Sequence, residues 1–136
     1  MKLVIYTDGA SRGNPGPASY GFTISDGIGK LIYEEGKYIG VATNNVAEYK
    51  GVLAALKWIK ENIKTRVEIT IFADSKLVVE QLSGRFKIKS PHLKLLIEEI
   101  KVLVQELGGI TLTHVLRAKN TLADKLANQA LDSQSL

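Results

Sequence analysis

Four acidic residues stand at positions where a carboxylate has no evident structural task. They are Asp8, Glu48, Asp74 and Asp124. Two of them follow apolar runs that are typical of strands, and the other two lie four residues into segments with helical spacing. Magnesium prefers carboxylate and water oxygens as ligands. If the fold brings the four together, the chain is predicted to cut or join phosphodiesters with bound magnesium.

Each of these acids, taken alone, has an ordinary structural explanation. Asp8 suits a turn before Gly9, and Asp74 suits the first turn of a helix, where the helix dipole favours a negative charge. Glu48 and Asp124 are also acceptable as first-turn acids. The structural explanation does not account for the four together, because crowded carboxylates repel and raise one another's pKa. Two metal ions, typically about 3.5–4 Å apart, would remove that repulsion.

Length and composition limit the classes of protein that the chain can belong to. A chain of 136 residues is expected to form one domain, residues 1–136, with its own core. Cysteine is absent, which excludes thiolate metal ligands and suits a reducing cytoplasm. No apolar run approaches the roughly 20 residues that span a bilayer, so no membrane partner is expected. The net charge of +4 favours anionic partners, and we expect a cytoplasmic monomer.

The pattern of apolar residues predicts an α/β fold. Strands are predicted at 3–8, 20–24, 30–34 with a continuation to 39, 66–73 and 110–116, and helices at 43–62, 74–82, 91–107 and 120–131. Residues 9–17 are rich in turn formers and are predicted to be a loop. The element order indicates a five-stranded mixed sheet, whose first three strands are antiparallel and whose later strands follow β-α-β crossovers, with helices on both faces.

This fold would bring the acids to one edge of the sheet. Functional groups in open α/β sheets gather beyond the carboxyl ends of the parallel strands, where Asp8 and Asp74 are predicted to lie. Glu48 shares its helix face with Val52, Ala55 and Ile59, so it is predicted to point towards the core, where a bare carboxylate is costly. Asp124 lies one helical turn after Asn120 at the start of the last helix.

Four sequence motifs resemble those of type 1 ribonuclease H, in the same order and in the same strand and helix context. They are Tyr6-Thr7-Asp8-Gly9-Ala10-Ser11 with Gly13-Asn14-Pro15-Gly16, Thr43-Asn44-Asn45-Val46-Ala47-Glu48, Ala73-Asp74-Ser75, and Asn120-Thr121-Leu122-Ala123-Asp124-Lys125-Leu126-Ala127. The resemblance covers nearly the whole chain. It implies a ribonuclease H-like fold and an endonuclease that cleaves the RNA strand of RNA–DNA hybrids, leaving 3′-hydroxyl and 5′-phosphate ends.

The resemblance also implies a cofactor and a role for each acid. Two Mg²⁺ ions are expected, with Mn²⁺ as a possible substitute. By the resemblance, Asp8 bridges both ions, Glu48 and Asp74 hold the ion near the leaving oxygen, and Asp124 helps to hold the ion that activates the attacking water. Such an ion pair lowers the pKa of the water and neutralises the departing oxygen.

Further residues are expected to contact the hybrid. By the resemblance, Asn14 and Glu48 lie beside the 2′-hydroxyls that distinguish RNA from DNA. Thr43 and Asn45 match contacts to the DNA strand, and Asn44 falls between the two strands. A helix cap is the structural alternative for this cluster, but a cap needs only one of the three residues.

The chain departs from the family pattern in three places. Lys76 replaces a glutamine that many members carry, and it is expected either to reach the substrate or to be a solvated helix residue. Segment 84–90 replaces a basic, tryptophan-rich handle, and its residues Arg85, Phe86, Lys87 and Lys89 are expected to form either a reduced hybrid-binding patch or a solvated loop. For the mobile histidine that assists product release, His114 is predicted to be packed in a strand face, and Arg117 is the preferred substitute.

Two other classes of function remain open at the level of sequence. One is a binding module for hybrids or double-stranded RNA without catalysis, which would be marked by the loss of an acid, and none is lost. The other is a different metal nuclease on a related fold, such as a DNA resolvase or a 3′-exonuclease. The cluster Thr43-Asn44-Asn45 and the loop that carries Asn14 argue against the second class.

Overall fold

The computed structural model describes residues 1–84 and 90–134. Its strands are β1 (Lys2–Ser11), β2 (Gly16–Asp26), β3 (Leu31–Ala42), β4 (Glu68–Ala73) and β5 (Ile110–His114). Its helices are α1 (Asn44–Asn62), α2 (Lys76–Leu82), α3 (Pro91–Leu107) and α4 (Thr121–Gln134), with a short 3-10 turn at Arg117–Lys119. The predicted order of elements is confirmed. None of the helices in the described ranges has the length and apolar character needed to cross a membrane.

The five strands form one mixed sheet in the order β3-β2-β1-β4-β5. Strand β1 is central, with β2 antiparallel on one side and β4 parallel on the other. Strands β2 and β3 are antiparallel, and β4 and β5 are parallel. The predicted sheet, antiparallel first and parallel afterwards, is therefore confirmed.

Two predictions, the end of the first strand and the extent of the loop after it, were wrong in ways that matter for the site. Strand β1 does not end at Asp8 but continues to Ser11, because its antiparallel pairing with β2 extends to the pair Ser11 and Ala18. Parallel pairing with β4 stops earlier, at the pair Thr7 and Ala73. Consequently the predicted loop 9–17 shrinks to residues 12–15. Asp8 is the first residue of β1 beyond the end of β4.

The main core lies between one face of the sheet and helices α1 and α3. It includes Leu3 and Ile5 of β1, Leu56 and Ile59 of α1, and Ile97 of α3, each almost fully buried. Helix α1 begins at the cap Thr43, whose Oγ1 accepts the backbone N–H of Val46 at 3.3 Å. Helix α3 begins with Pro91 and ends at Gly108, which has a left-handed backbone. These boundaries agree with the predicted helices.

Helix α4 covers the opposite face of the sheet at very short range. A Cβ atom on Gly21 would lie 2.3 Å from the carbonyl oxygen of Ala123, and one on Gly36 would lie 2.4 Å from that of Leu126. The Ser19 hydroxyl donates to the carbonyl oxygen of Ala127 at 2.5 Å. Two glycines on neighbouring strands therefore allow the backbone of α4 to rest on the sheet, which fixes the depth at which Asp124 is held.

The close contact of α4 with the sheet predicts a cost for added volume. Gly21→Ala is expected to destabilise the protein by about 1–3 kcal/mol, since its methyl group would overlap backbone atoms that cannot move independently. The matched control is Gly27→Ala in the exposed hairpin turn, where the nearest atom is the Lys2 side-chain Cβ at 3.2 Å. Urea denaturation measures both variants, and equal midpoints for Gly21→Ala and Gly27→Ala would contradict the packing described here.

Candidate active site

The two strand acids lie at the same edge of the sheet because their strands are parallel neighbours. Ala73 is the last residue of β4, and Asp74 follows it directly. Asp8 follows Thr7, the β1 partner of Ala73. Both carboxylates therefore project from the carboxyl edge of the parallel pair, as predicted.

Glu48 reaches Asp8 because β1 carries a glycine at the point where α1 crosses it. A Cβ atom on Gly9 would lie 2.4 Å from the backbone nitrogen of Glu48 and 2.6 Å from the carbonyl carbon of Ala47. Any side chain at this position would force the start of α1 away from the strand. Glu48 is only 7% exposed on the core-facing side of α1, which confirms the predicted face.

The structure brings the four acids together around Asp8. Asp8, Glu48 and Asp74 each offer a carboxylate oxygen, and these atoms lie within 4.8 Å of one another. Besides burial and the charges of Glu48 and Asp74, side-chain hydrogen bonding with Glu48 and Asp124 contributes to the raised pKa of Asp8, so the Asp124 carboxyl also lies beside it. Asp8 therefore lies at the centre of the group, and Asp124 joins it from α4.

The cluster has the properties of a cation site. One oxygen each of Asp8, Glu48 and Asp74 is buried without a hydrogen-bond partner. Buried carboxylate oxygens without donors are costly, because they lose water and receive nothing in exchange. A divalent cation with oxygen ligands would satisfy all three at once, so the residues present fit magnesium or manganese.

The electrostatics of the cluster favour protonation when no cation is bound. Burial, followed by the charges of Glu48 and Asp74, raises the pKa of Asp8 far above its ordinary value of 3.8. Burial also raises the pKa of Glu48 above 4.5, although the hydrogen bonds from Asp8 and from the Gly9 backbone act in the opposite direction. Without a cation, burial and like charges therefore favour the protonated form of Asp8, and a bound cation would favour the ionised form.

Asp124 is more accessible than Asp8 and Glu48 and is held through α4. Its side chain is 32% exposed, and its Oδ1 lies 3.7 Å from the Nη2 atom of Arg117. The Asn128 amide donates to the backbone carbonyl of Asp124 at 2.9 Å. Arg117 is 82% exposed at its side chain and stands at the rim of the acid cluster.

A buried hydrogen bond connects the start of α4 to β1. Asn120 is 1% exposed, and its Nδ2 donates to the carbonyl oxygen of Thr7 at 2.8 Å. This contact joins Thr7, the neighbour of Asp8, to Asn120, which lies one turn before Asp124. The sequence predicted Asn120 only as the start of the last helix. The one available signal was that Asn120 and Asp124 lie one turn apart, but periodicity could not identify a backbone partner 113 positions away.

The predicted substrate residues fall into two groups. Asn44, Asn45 and Arg117 line one open pocket together with Asp8, Glu48 and Asp74. Ser75, which was not predicted as a site residue, also lines this pocket and caps α2 through its hydroxyl.

The other predicted contacts lie outside the lining of this pocket. Thr43 caps α1, as the structural alternative required, and its contact with the DNA strand stays a prediction. Asn14 accepts the Asn44 backbone N–H at 3.1 Å, which ties the β1–β2 loop to the start of α1. Lys76 is exposed at the first position of α2.

The prediction of a packed His114 was wrong. His114 is exposed, because it is the last residue of the edge strand β5 and lies at the rim of the sheet. Leu116, expected on the same strand face, lies beyond β5 and is 70% exposed. The predicted patch Arg85, Phe86, Lys87 and Lys89 lies outside the described residues.

Comparison with known proteins gives one consistent result. The family model described as reverse transcriptase-like matches residues 6–130. Bifunctional protein Rv2228c of Mycobacterium tuberculosis is 47% identical over 98% of the chain and 36% of its own length. Ribonuclease HI of Halobacterium salinarum is 42% identical over 93% of the chain and 63% of its own length. The chain thus spans about a third to two thirds of the length of these curated relatives.

A solved structure extends the comparison to three dimensions. LC11-RNase H1, crystallised in complex with an RNA/DNA hybrid, superposes with a TM-score of 0.93 at 39% identity, covering 98% of this chain and 99% of that one. The fold is therefore that of type 1 ribonuclease H. The chain belongs to the ribonuclease H family.

The raised pKa values predict how stability depends on pH without metal. The unfolded chain ionises Asp8 and Glu48 near pH 4, whereas the folded protein resists their ionisation. The stabilising contribution of these two protonated carboxyls is therefore fully present below their ordinary pKa values and is lost as pH rises towards the raised ones. With chelator present, the free energy of unfolding should fall between about pH 5 and pH 8.

Two comparisons isolate the cluster as the source of this dependence. Asp8→Asn should flatten the pH profile, while Glu61→Gln, which removes an exposed carboxylate of α1, should leave it unchanged. Magnesium should restore stability at pH 8, because cations bind the ionised form. Denaturant titrations at several pH values measure this, and a metal-free stability that rises with pH would refute it.

Loss of the Asn120 amide should destabilise the protein. Asn120→Ala would leave the Thr7 carbonyl oxygen buried without a donor, at an expected cost of about 1–3 kcal/mol. The control Asn62→Ala removes an exposed amide that donates to the Trp58 carbonyl oxygen at 2.9 Å, and should cost less than about 0.5 kcal/mol. Denaturant midpoints distinguish the two variants, and equal midpoints would show that the buried bond contributes little.

Proposed function

We propose that this protein is an endoribonuclease that hydrolyses the RNA strand of RNA–DNA hybrids by two-metal-ion catalysis, leaving 3′-hydroxyl and 5′-phosphate ends. The observation that carries the proposal is the convergence of three other carboxylates on Asp8, with three buried oxygens in the cluster that lack donors. All four acids of the family pattern are present and close together. This arrangement supports a hydrolase over a binding module without catalysis.

The four acids would hold two Mg²⁺ ions, with Mn²⁺ as a substitute. Asp8, which lies near each of the others, would hold both ions, while Glu48 and Asp74 would hold one and Asp124 the second. Bound there, the ions supply Lewis acidity to the phosphate and an ionised water as nucleophile. Asp124 is more exposed than Asp8 and Glu48, which suits the side where water enters.

The protein's own contribution is to fix the geometry before substrate arrives. Glu48 and Asp8 lie on a helix and a strand rather than on loops, and burial restricts the movement of their carboxylates. Asn44 and Asn45, at the start of α1, place amide groups beside the acids, and the helix start itself favours a phosphate group. The bond from Asn14 to Asn44 couples the β1–β2 loop to this surface.

Cationic groups at the rim would stabilise the negative substrate. Arg117 stands at the mouth of the pocket, within ion-pair distance of Asp124, where it can exchange a carboxylate for a phosphate. We infer that Arg117, rather than His114, assists release of the product. Lys76 is exposed at the start of α2 and is free to reach a phosphate of the hybrid. A cytoplasmic location and a monomeric state stay predictions.

Asp8→Asn should abolish cleavage while leaving hybrid affinity nearly intact. The amide cannot bridge two cations, yet it removes only one of four crowded charges. Because the substitution relieves repulsion among the crowded acids, the thermal midpoint without metal should rise. The assay follows a labelled hybrid with magnesium, with manganese and with chelator, and compares it with RNA and DNA duplexes. Asp8→Asn that cleaves the hybrid at physiological magnesium would refute the bridging role.

The matched control for this assay is Glu61→Gln, an exposed carboxylate near the far end of α1. It should cleave at the wild-type rate. Only the RNA strand of the hybrid should shorten, and its products should carry 5′-phosphates. Cleavage of the DNA strand, or of a DNA duplex at a comparable rate, would point instead to another metal nuclease on this fold.

A further inference from the structure

A second groove with cationic walls lies between α1 and the edge strand β3, away from the acid cluster. It has a volume of about 440 Å³ and is lined by Tyr20, Lys37, Tyr38, Ile39, Lys50, Leu53, Ala54 and Lys57. Three of these residues are lysines and none is acidic. This lysine groove is named for Lys37, Lys50 and Lys57.

The lysines of this groove are available to a ligand. Among the described residues, no ion pair is formed by Lys37 or Lys50, and Lys57 makes only a loose contact of 3.8 Å with the exposed carboxylate of Glu99. Glu35, the acid on β3 nearest to Lys37, accepts hydrogen bonds from the hydroxyls of Tyr20 and Tyr33, both at 2.9 Å. Its charge is thus already satisfied within the protein.

The two elements that form the walls of the lysine groove meet beside the acid cluster. Strand β3 ends at Ala42 and α1 begins at Asn44, and Asn44 and Asn45 line the pocket that also contains Asp8, Glu48 and Asp74. From Asn45 to Lys57 the helix rises about 18 Å. A strand that leaves the acid cluster beside Asn45 can therefore follow α1 past Lys50 to Lys57.

We propose that the lysine groove binds an unpaired polynucleotide strand that continues from the hybrid at the acid cluster. The groove offers cations for phosphates, the apolar surface of Ile39, Leu53 and Ala54, and the ring of Tyr38 for a base. A groove of about 440 Å³ suits a single strand rather than a duplex, whose major groove alone is about 12 Å wide. The inference rests on the proposed function, because it needs a hybrid bound at the acids.

The test compares a blunt hybrid with hybrids that carry a single-stranded tail. Four tailed probes are used: a DNA tail on the DNA strand or an RNA tail on the RNA strand, each at the 5′ or the 3′ end. They are titrated by fluorescence anisotropy against protein carrying Asp8→Asn, which keeps the probes intact. At least one tailed probe should bind several-fold more tightly than the blunt hybrid. Comparison of the four tailed probes shows whether the groove binds DNA or RNA and in which strand direction.

Charge-neutral variants locate the effect. The variant Lys37→Gln/Lys50→Gln/Lys57→Gln should lose the added affinity of the tail. Its slope of log Kd against log salt should fall by up to about two for the tailed probe, since each neutralised single-strand phosphate contributes about 0.7. The control Lys30→Gln/Lys64→Gln/Lys101→Gln makes the same charge change at exposed lysines elsewhere and should keep the tail effect.

The outcomes separate this inference from the proposed function. If no tail adds affinity, or if both triple variants lose it equally, the lysine groove is not a nucleic-acid site, although wild-type cleavage of the blunt hybrid would still support the nuclease. Competition by polyglutamate as strong as by an oligonucleotide of equal charge would also overturn it, in favour of an acidic protein partner. Failure of the wild-type protein to cleave the blunt hybrid with magnesium would overturn the proposed function itself.

Discussion

Crowding of negative charge around Asp8 is the constraint on which the rest of the site depends. A carboxyl that is almost fully buried among three others is a poor way to stabilise a fold, because burial and like charges both oppose ionisation. The fold accepts this cost at one point and holds the acids there with rigid elements. The same unfavourable energy becomes binding energy for a cation, since the ion satisfies oxygens that the protein leaves without donors.

The crowding is enforced by backbone contacts as much as by the acids themselves. Gly9 lets α1 lie against β1, and Gly21 and Gly36 let α4 lie against β2 and β3, each at distances that exclude a Cβ atom. The amide of Asn120 then ties the start of α4 to the Thr7 carbonyl, next to Asp8. Acids from α1 and α4 therefore approach the strand acids from both faces of the sheet. A small outward shift of either helix would separate the carboxylates.

Local patterns predicted those parts of the site that depend on one element at a time. Helical periodicity placed Glu48 on the buried face of α1, and runs of apolar residues placed Asp8 and Asp74 at the edge of the parallel strands. Patterns failed where a second element decides the outcome. Alternation predicted His114 to be packed, but an edge strand has no neighbour to cover its last residue. Likewise, β1 extends past Asp8 only because β2 continues to pair with it.

The residues that sequence reasoning missed share a physical cause. Gly9 is a loop former in isolation, and its role as the contact point for α1 exists only because two elements cross there. Asn120 is a cap in isolation, and its donor role needs a carbonyl that is distant in the chain. The lysine groove is a similar case, since Lys37 lies on β3, which is net acidic, and Lys50 on α1, which carries a net charge of only +1. Lysines that are far apart in the sequence line one groove because a strand and a helix meet beside the acid cluster.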